Sequence, residues 1–240
     1  MARILITGSA DGLGQLSAKE LIQQGHKVVL HARNAERAKE AMKKNPEAEA
    51  VLTGDQSNRD ETIQLANQAN ESGDFDTVIH NAGVYQVSGK LIYAVNTIAP
   101  YILTCLIQKP KRLIYLSSGM HQGGHLNPGN LKSGSISYSD SKLYVLLLCK
   151  AVARKWSAIY ANAVDPGWVP TKMGGRGAPD DLQKGYETQV WLAVSNDEKA
   201  KVTGRYFFHQ QERRSNPEAD DIDGQDKFLS ICGEITGIAF

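Results

Sequence analysis

The chain has 240 residues, with 27 Lys and Arg against 26 Asp and Glu and a formal net charge of +1. This balance argues against a nucleic-acid partner recognised through bulk positive charge. Hydrophobic residues make up 41% of the sequence and charged residues 22%, which is typical of a folded protein and excludes a disordered one. The length suits one open α/β sheet, and no Pro-, Gly- or Ser-rich linker divides it, so we predict a single domain over residues 1–240.

The sequence offers no signs of a secreted, metal-binding or membrane protein. Its three cysteines, Cys105, Cys149 and Cys232, are too few and too scattered for a disulfide framework or a metal site, and indicate buried thiols in a reducing compartment. The longest apolar run, Leu143–Leu148, is too short for a membrane span, and the N-terminal residues enter a strand pattern without a signal peptide. We therefore expect a cytoplasmic protein with no membrane partner.

Short β-branched and aliphatic runs alternate with longer amphipathic segments along the chain. The runs predict strands at Arg3–Thr7, Lys27–Leu30, Ala50–Thr53, Thr77–His80, Arg112–Leu116, Ala161–Val164 and Arg205–Phe208. The amphipathic segments predict helices at Leu13–Gln24, Ala35–Lys44, Asp60–Asn70, Leu91–Gln108, Tyr138–Trp156 and Leu182–Val194. This alternation predicts an α/β fold, a doubly wound parallel sheet of the Rossmann type with about seven strands and helices on both faces.

Three segments lack a clear helix or strand pattern. Gly119–Ser137, which contains five glycines, and Lys172–Asp181 both indicate loops. The polar stretch Gln210–Asp226 is either a surface excursion or a solvated tail.

The first predicted strand runs directly into a glycine-rich turn that is followed by an amphipathic helix. The turn reads Thr7-Gly8-Ser9-Ala10-Asp11-Gly12-Leu13-Gly14. Glycines allow a sharp turn and a close approach to a pyrophosphate, whose charge is stabilised at the helix N-terminus. An ordinary glycine turn is the alternative, but the place of this turn at the first strand–helix junction favours a dinucleotide site.

The end of the second predicted strand bears on which dinucleotide binds. A free ribose 2′-OH favours an acidic side chain at this point, whereas this sequence has Ala32 followed by Arg33. Because an arginine suits a 2′-phosphate, we predict that NADP(H) is preferred over NAD(H). A solvated arginine at the start of the next helix is the alternative.

A tyrosine and a lysine share one face at the start of a predicted helix. Tyr138 and Lys142 are one helical turn apart, and an ammonium about 4 Å from a phenolate contributes about 4 kcal/mol at an effective dielectric of 20. As an upper bound, this attraction lowers the pKa of the tyrosine from about 10 to about 7, where the tyrosine can exchange protons with an alcohol or a carbonyl. Ser117 and Ser118 end the fifth predicted strand, at the edge of the sheet where ligands bind. The alternatives are a helix tyrosine with a solvated lysine, and serines that satisfy loop backbone.

Five motifs stand in a fixed order at successive strand ends. They are Thr7-Gly8 with Gly12 and Gly14, then Asn81-Ala82-Gly83, Ser117-Ser118, Tyr138-x-x-x-Lys142, and Pro166-Gly167-Trp168-Val169-Pro170-Thr171. In this order they resemble the short-chain dehydrogenase/reductase family over nearly the whole chain. The run from Gly204 to Phe207 resembles, more weakly, the retinol-dehydrogenase or polyketide-ketoreductase branch.

The resemblance implies roles for particular residues. Tyr138 would be the general acid and base, Lys142 would bind the nicotinamide ribose, Ser118 would hold the substrate oxygen, and Asn96 would complete a proton relay. The implied cofactor-binding residues are Gly8, Ser9, Asp11, Gly12, Leu13, Gly14, Arg33, Asp55, Asn81, Ala82, Gly83, Tyr138, Lys142, Pro166, Gly167, Val169 and Thr171. The substrate loops would lie at residues 84–90, 119–137 and 168–188.

Three features depart from the family pattern. The interval from Asn81 to Asn96 is short, which predicts a truncated helix, and the interval from Ser118 to Tyr138 is long, which predicts a glycine-rich flap. Asp11 stands where many NADP-dependent members carry a basic residue, which weighs against the preference for NADP(H).

We therefore expect an NADP(H)-dependent oxidoreductase that interconverts a carbonyl and an alcohol by hydride transfer, with a hydrophobic small-molecule substrate. A sugar-nucleotide epimerase or dehydratase is a weaker alternative, because too few residues follow Val164 for its added substrate domain. A non-catalytic NADP(H) sensor is the second alternative. We also expect a homodimer formed by the helices Leu91–Gln108 and Tyr138–Trp156, the second of which carries an apolar series that looks exposed.

Overall fold

The computed structural model describes all 240 residues, and one eight-stranded sheet runs through it. The strands are β1 (Arg3–Ile6), β2 (Lys27–Ala32), β3 (Ala50–Thr53), β4 (Thr77–His80), β5 (Arg112–Leu116), β6 (Tyr160–Asp165), β7 (Tyr206–Phe208) and β8 (Gln211–Arg213). Their order in the sheet is β3-β2-β1-β4-β5-β6-β7-β8. Only β8 is antiparallel to its neighbour. The predicted doubly wound parallel sheet is confirmed, with one more strand than the sequence indicated.

The helices cover both faces of the sheet. They are α1 (Gly12–Gln23), α2 (Ala35–Lys44), α3 (Arg59–Glu71), α4 (Gly89–Tyr93), α5 (Ala99–Leu106), α6 (Pro128–Ser133), α7 (Tyr138–Lys155), α8 (Leu182–Val194) and α9 (Ile222–Thr236). One apolar core joins the sheet to α3, α5, α7 and α9, and a second joins it to α1, α2 and α8. The central strands are therefore buried on both faces, which explains why they are apolar without alternation.

The chain reverses its winding direction between β1 and β4. Leu5 of β1 pairs with Val29 of β2 on one side and with Val78 of β4 on the other. The connections from β1 and from β4 therefore leave the sheet in opposite directions, and a crevice opens at the carboxyl ends of these two strands. The glycine-rich turn follows β1 at this crevice.

The predicted helix Leu91–Gln108 is not one regular helix. It consists of α4, a π-helical turn over Ala94–Ile98, and α5. By length and composition the stretch Gly89–Leu106 resembles a membrane span, a candidate that the sequence reading missed, but 61% of it is buried inside the fold, as in a core helix. The short α4 agrees with the truncated helix that the spacing predicts.

The stretch Gln210–Asp226 is structured and not a solvated tail, and its first residues, Gln210–Arg214, lie on the surface. It contains β8 and a 3₁₀ turn over Pro217–Asp220, and it leads into α9, which the sequence reading did not predict. The buried face of α9 includes Phe228 and Cys232, which pack against α7. The C-terminal residues continue this packing, because the Phe240 ring stacks on Trp156 with centroids 4.9 Å apart.

This packing corrects one premise of the predicted homodimer. The apolar series on α7 is buried within the chain and not exposed; its members are Leu143, Leu146, Leu147, Cys149 and Val152. The helix pair is also joined to the C-terminus, since the Tyr101 hydroxyl of α5 donates to the Ile238 carbonyl at 2.8 Å. The homodimer therefore stays a prediction, but the exposed apolar surface on which it was based is not present.

Candidate active site

The glycine-rich turn packs tightly against the segment that follows β4. Gly8 has φ +63°, and a Cβ added to it would lie 2.8 Å from the Cα of Ala82. A Cβ added to Gly14 would lie 2.7 Å from the Gly8 carbonyl oxygen. Glycine is therefore required at both positions, because any side chain would separate the two segments.

Asn81 holds this turn in place. Its Nδ2 donates to the carbonyl oxygens of Thr7 at 2.9 Å and Gly8 at 3.1 Å. In return, the Thr7 hydroxyl accepts from the backbone N–H groups of Asn81 and Ala82, both at 3.0 Å. Asn81 was predicted to line the cofactor site. In the structure its amide stabilises the conformation of the glycine-rich turn.

A buried histidine that the sequence reading missed supports the turn from β2. The Gly8 N–H donates to His31 Nδ1 at 2.9 Å, and His31 Nε2 donates to the Gly54 carbonyl at 2.9 Å. Burial lowers the pKa of His31, which keeps the ring neutral. Ser9 is also fully buried, and its hydroxyl donates to the Ile6 carbonyl at 2.9 Å. Ser9 therefore supports the turn from inside the fold.

The outer side of the turn is open at the start of α1. Asp11 is the N-cap residue, yet its carboxylate makes no capping hydrogen bond. Gly12 has φ +58°, and the nearest atom to an added Cβ is Thr171 Cγ2 at 4.0 Å. The first N–H groups of α1, from Gly12 to Gly14, have no acceptor within the helix, and the open space beside Gly12 fits the pyrophosphate of a dinucleotide.

The adenosine side of the crevice is charged and exposed. Arg33 follows β2 and is exposed. Asp55 follows β3, and its Oδ1 accepts from the Ser57 N–H at 2.8 Å. Asp11 Oδ2 accepts from Arg37 Nη2 at 2.6 Å and from Lys172 Nζ at 3.1 Å, a cluster that the sequence reading did not predict.

Tyr138 and Lys142 lie at the other end of the same edge, at the start of α7. Ser137 caps this helix in a reciprocal capping box with Asp140, which fixes where the helix begins. Lys142 is 6% exposed, and its Nζ donates to the Leu116 carbonyl at 2.9 Å. The same Nζ lies 5.4 Å from the centroid of the Tyr138 ring.

The two serines after β5 have different surroundings. The buried Ser117 hydroxyl donates to the Lys142 carbonyl at 2.9 Å, so it braces α7. The side chain of Ser118 lies beside the Tyr138 hydroxyl and lowers its pKa. The preference for Ser118 over Ser117 as the serine next to the reacting oxygen agrees with this geometry.

Burial outweighs charge at this end of the site. Burial raises the pKa of Tyr138 to about 12, even though the neighbouring Ser118 lowers it. The pKa of Tyr138 is therefore raised instead of being lowered toward the limit of about 7, because the Coulomb argument left out the cost of desolvation. Burial also lowers the pKa of Lys142 to about 8, opposed by the charge of Asp165.

Asp165 ends β6 and was not among the predicted site residues. Its Oδ1 accepts from the Gly167 N–H at 2.9 Å, and its Oδ2 accepts from the Tyr206 hydroxyl at 3.1 Å. Its negative charge raises the pKa of both Lys142 and Tyr138. The only sequence signal for Asp165 was its position at a strand end just before Pro166-Gly167.

Asn96 lies in the π-helical turn and is 1% exposed. Its Oδ1 accepts from the Val84 N–H at 2.8 Å, and its Nδ2 donates to the Val84 carbonyl at 3.0 Å. A Cβ added to Gly83 would lie 3.5 Å from Asn96 Oδ1 and 3.6 Å from Lys142 Nζ. Asn96 and Lys142 thus face the same glycine, and the relay through Asn96 stays a prediction.

The segment between β6 and α8 carries the last predicted residues. Val169 is buried, and the Pro166 carbonyl and a Leu13 methyl both face Gly185 of α8. The methyl group of Thr171 lies over Gly12, as described above. The segment therefore connects the tyrosine end of the edge to the glycine-rich turn.

The flap between Ser118 and Tyr138 is ordered by a buried histidine. His121 Nδ1 donates to the Ser118 carbonyl at 2.6 Å, and Nε2 accepts from the Asn216 N–H at 3.1 Å. The Asn216 side chain also donates to the Gly124 carbonyl at 3.0 Å. The segment before α9 thus fixes the flap beside Ser118.

Comparison with known proteins identifies the family. The family described as short chain dehydrogenase matches residues 2–104. An uncharacterized oxidoreductase, AN7799, from Emericella nidulans is 45% identical over 99% of this chain and 98% of its own length. The short-chain dehydrogenase chyC from Penicillium rubens is 41% identical over the same shares. The chain belongs to the short-chain dehydrogenase family.

Wider comparisons agree with this membership. Retinol dehydrogenase 14 from Homo sapiens is 27% identical over 98% of this chain and 86% of that protein, consistent with the weaker branch resemblance. The solved complex of Pseudomonas aeruginosa RhlG with NADP has the same fold, with a TM-score of 0.70 and 21% identity over 87% of this chain and 96% of that one. This dehydrogenase is thus an oxidoreductase of a family that binds nicotinamide cofactors and acts on small carbonyl or alcohol compounds.

Proposed function

We propose that this dehydrogenase interconverts a carbonyl and an alcohol by hydride transfer with NADP(H), with Tyr138 as the general acid and base. The proposal depends on one observation: a dinucleotide-binding turn and a group of catalytic residue types lie along the same edge of the sheet. The open glycine-rich turn suits a dinucleotide, and Ser118, Tyr138 and Lys142 converge at the other end. The preference for NADP(H) is supported by Arg33 and by the NADP bound to the structural relative RhlG.

When bound, the cofactor supplies the hydride, and the protein supplies position and a proton. Its pyrophosphate would be held by the N–H groups from Gly12 to Gly14, and its ribose by Lys142. The nicotinamide would lie against the segment that carries Val169 and Thr171. No metal is needed for this chemistry, and no cluster of metal-ligating side chains occurs in the chain.

Tyr138 is suited to give a proton to the substrate. With a pKa raised to about 12 by burial, its hydroxyl is protonated at neutral pH. It can therefore donate to a carbonyl oxygen that gains negative charge as the hydride arrives. Ser118, beside the same hydroxyl, would orient that oxygen.

Lys142 would then stabilise the negative charge that Tyr138 acquires. The Lys142 ammonium is mostly protonated at pH 7, because Asp165 opposes the effect of burial on its pKa. A cation close to the ring attracts the developing phenolate, and the low local dielectric strengthens that attraction. Lys142 thus contributes after the proton has left Tyr138, and Asp165 contributes only by keeping Lys142 charged.

The substrate surface is apolar. Four large hydrophobic side chains near the site are exposed: Val87, Met120, Trp168 and Met173. Tyr85 packs on the Tyr138 ring with centroids 4.6 Å apart and extends this surface inward. Because exposed apolar side chains gathered at one site mark a binding surface, we propose a hydrophobic carbonyl compound as substrate. We also propose that the enzyme is cytoplasmic, where its three unpaired cysteines stay reduced.

Turnover by the purified protein tests this proposal. NADPH is mixed with a panel of aliphatic and aromatic ketones and aldehydes of increasing size, and the nicotinamide absorbance is followed. We expect loss of absorbance with apolar carbonyls, and a loss of roughly 10²- to 10⁴-fold in rate for Tyr138→Phe, the share that general acid catalysis usually supplies. Tyr160→Phe is the matched control, because Tyr160 begins β6 and so lies at the edge of the sheet away from the site. This variant should keep the parent rate. NADPH binding without turnover on every carbonyl would instead favour a non-catalytic sensor.

A further inference from the structure

Tyr85 lies on the loop that follows β4 and packs against Tyr138, the proposed proton donor. The centroids of the two rings are 4.6 Å apart, and their planes are inclined by 58°. Tyr85 is half-buried, so part of its ring stays open to a ligand. Because a substrate carbonyl must reach the Tyr138 hydroxyl to receive its proton, the groups joined to that carbonyl come close to the ring of Tyr85.

The backbone on either side of Tyr85 holds its side chain in this place. The Val84 N–H donates to Asn96 Oδ1 at 2.8 Å, and the Val84 carbonyl accepts from Asn96 Nδ2 at 3.0 Å. Gln86 has φ +54°, a left-handed conformation that is uncommon for residues other than glycine. Such conformations persist where the surrounding structure requires them, and they cluster at ligand sites. Tyr85 is therefore fixed before a substrate arrives, which lowers the entropy cost of binding.

A second aromatic side chain, Trp168, stands on the loop that follows β6 and is 60% exposed. Its indole N–H donates to the Gly174 carbonyl at 2.7 Å, and its backbone N–H donates to Asp180 Oδ2 at 2.6 Å. The only polar atom of the Trp168 side chain is thus bonded within its own loop. What this side chain offers to a ligand is the surface of an aromatic ring, which packs best against another ring.

Met120 completes the set on the loop that follows β5. It is 46% exposed, and its N–H donates to Ser118 Oγ at 3.3 Å, so it begins the flap directly beside the serine of the site. Methionine sulfur also makes favourable contacts with aromatic rings. Strands β4, β5 and β6 are neighbours in the sheet, so about 10 Å separates the outer two. Three side chains that bind flat rings therefore stand on three adjacent loops, around the point where the carbonyl reacts.

We propose that the substrate is an aryl ketone or aryl aldehyde, with the aromatic ring joined directly to the carbonyl carbon, and that Tyr85 selects it. The inference rests on the proposed function, because it requires a carbonyl group at Tyr138. Conjugation keeps an aryl carbonyl flat and rigid, so packing it against Tyr85 costs little conformational entropy. Contacts between aromatic rings are also stronger than the area they bury accounts for. A saturated substrate of the same size lacks this second advantage.

Kinetics with ketones of equal size test the inference. We measure kcat/KM with NADPH for three eight-carbon methyl ketones, namely acetophenone, cyclohexyl methyl ketone and 2-octanone. Their chemical reactivities differ, but these differences cancel when the ratio of acetophenone to cyclohexyl methyl ketone is compared between variants. For Tyr85→Leu we expect this ratio to fall about tenfold, chiefly through a higher KM for acetophenone. Trp168→Leu is the second variant, should Tyr85→Leu fail to fold, and should lower the same ratio.

Two further variants separate the ring of Tyr85 from its hydroxyl and from a general effect. Tyr85→Phe keeps the ring and should keep the ratio within twofold of the parent. Tyr160→Leu removes a tyrosine ring at the opposite edge of the sheet and should not change the ratio.

An unchanged ratio in Tyr85→Leu would overturn the inference, as would an equal loss in Tyr85→Phe and Tyr85→Leu. If the parent enzyme reduces no carbonyl compound at all, the proposed function fails. If it reduces ketones and Tyr85→Leu leaves the ratio unchanged, only this inference fails.

Discussion

The two ends of the sheet edge hold their charges in opposite ways. At the tyrosine end Lys142 is 6% exposed, and burial shifts the pKa of both Lys142 and Tyr138. At the adenosine end Arg33 is exposed and Lys172 is 81% exposed. Because desolvation acts only on buried groups and salt screens only exposed ones, the tyrosine end should respond to pH and the adenosine end to salt. The same edge of the sheet thus has one end whose charges respond to pH and another whose charges respond to salt.

The largest expected effect concerns Lys142 and the stability of the fold. Its folded pKa of about 8 lies below the ordinary 10.5, so the unfolded chain binds more protons between these values. Stability should therefore rise with pH across this window, and this gain is absent below pH 8, where Lys142 is protonated in both the folded and the unfolded state. Relative to Lys142→Met, the free energy of unfolding of the parent should increase by about 2 kcal/mol between pH 8 and pH 10.

Urea unfolding at pH 8, 9 and 10, followed by tryptophan fluorescence, measures this difference. The subtraction is necessary because the pKa values of Cys105 and Cys149 are raised by burial to about 12, so these thiols titrate in the opposite sense. Lys39→Met, which removes an exposed lysine, should give a flat difference. A flat difference for Lys142→Met as well would mean that Lys142 is not buried as described.

The next effect concerns Arg33 and the 2′-phosphate. Replacing Arg33 with Ala removes a charge-assisted hydrogen bond, and after allowance for its exposure the loss is about tenfold in NADPH affinity. NADH affinity should hardly change, because that cofactor lacks the phosphate. Titration of both nucleotides against the parent, Arg33→Ala and the exposed control Lys39→Ala provides the test. An unchanged NADPH-to-NADH ratio in Arg33→Ala would place the selectivity elsewhere.

The smallest effect is the response to salt. Raising the ionic strength from 0.05 M to 0.5 M should weaken NADPH binding several-fold more than NADH binding, since the exposed cations at the adenosine end are screened. Over the same range of ionic strength, the contribution of Lys142 to the pH dependence of stability should not change. Equal salt responses for the two nucleotides would contradict the contrast between the two ends.

Much of the fold was predictable because local pattern and burial agree in its first half. The strands up to Arg112–Leu116 are within two residues of their predicted bounds, since strands covered on both faces are apolar throughout. The C-terminal part was not predictable in the same way. Polar residues dominate Gln210–Asp226, so the sequence pattern gave no signal for β8 or for the start of α9. The π-helical turn at Asn96 depends on a hydrogen-bond register that no residue type signals.

The candidate site divides along a similar line. Glycines, strand-end serines and the Tyr138–Lys142 spacing are local features, so the sequence was enough to select them. Asp165 acts on Lys142, and Arg37 binds Asp11, only because the fold brings together residues that are far apart in the sequence. Neither residue has a local sequence signature. The direction of the Tyr138 pKa shift was missed for the same reason, because the degree of burial depends on the whole fold.

Transfer of a labelled hydride tests the central claim most directly. NADPH carrying deuterium at C4 of the nicotinamide, in each stereochemical form, is mixed with an apolar ketone that the enzyme accepts, and the alcohol is analysed by mass spectrometry. We predict that one of the two labelled forms gives an alcohol with a single deuterium at the carbinol carbon. Tyr138→Phe should still bind the same cofactor but form little of this product. An alcohol without deuterium from both labelled forms, or full product formation by Tyr138→Phe, would contradict the account.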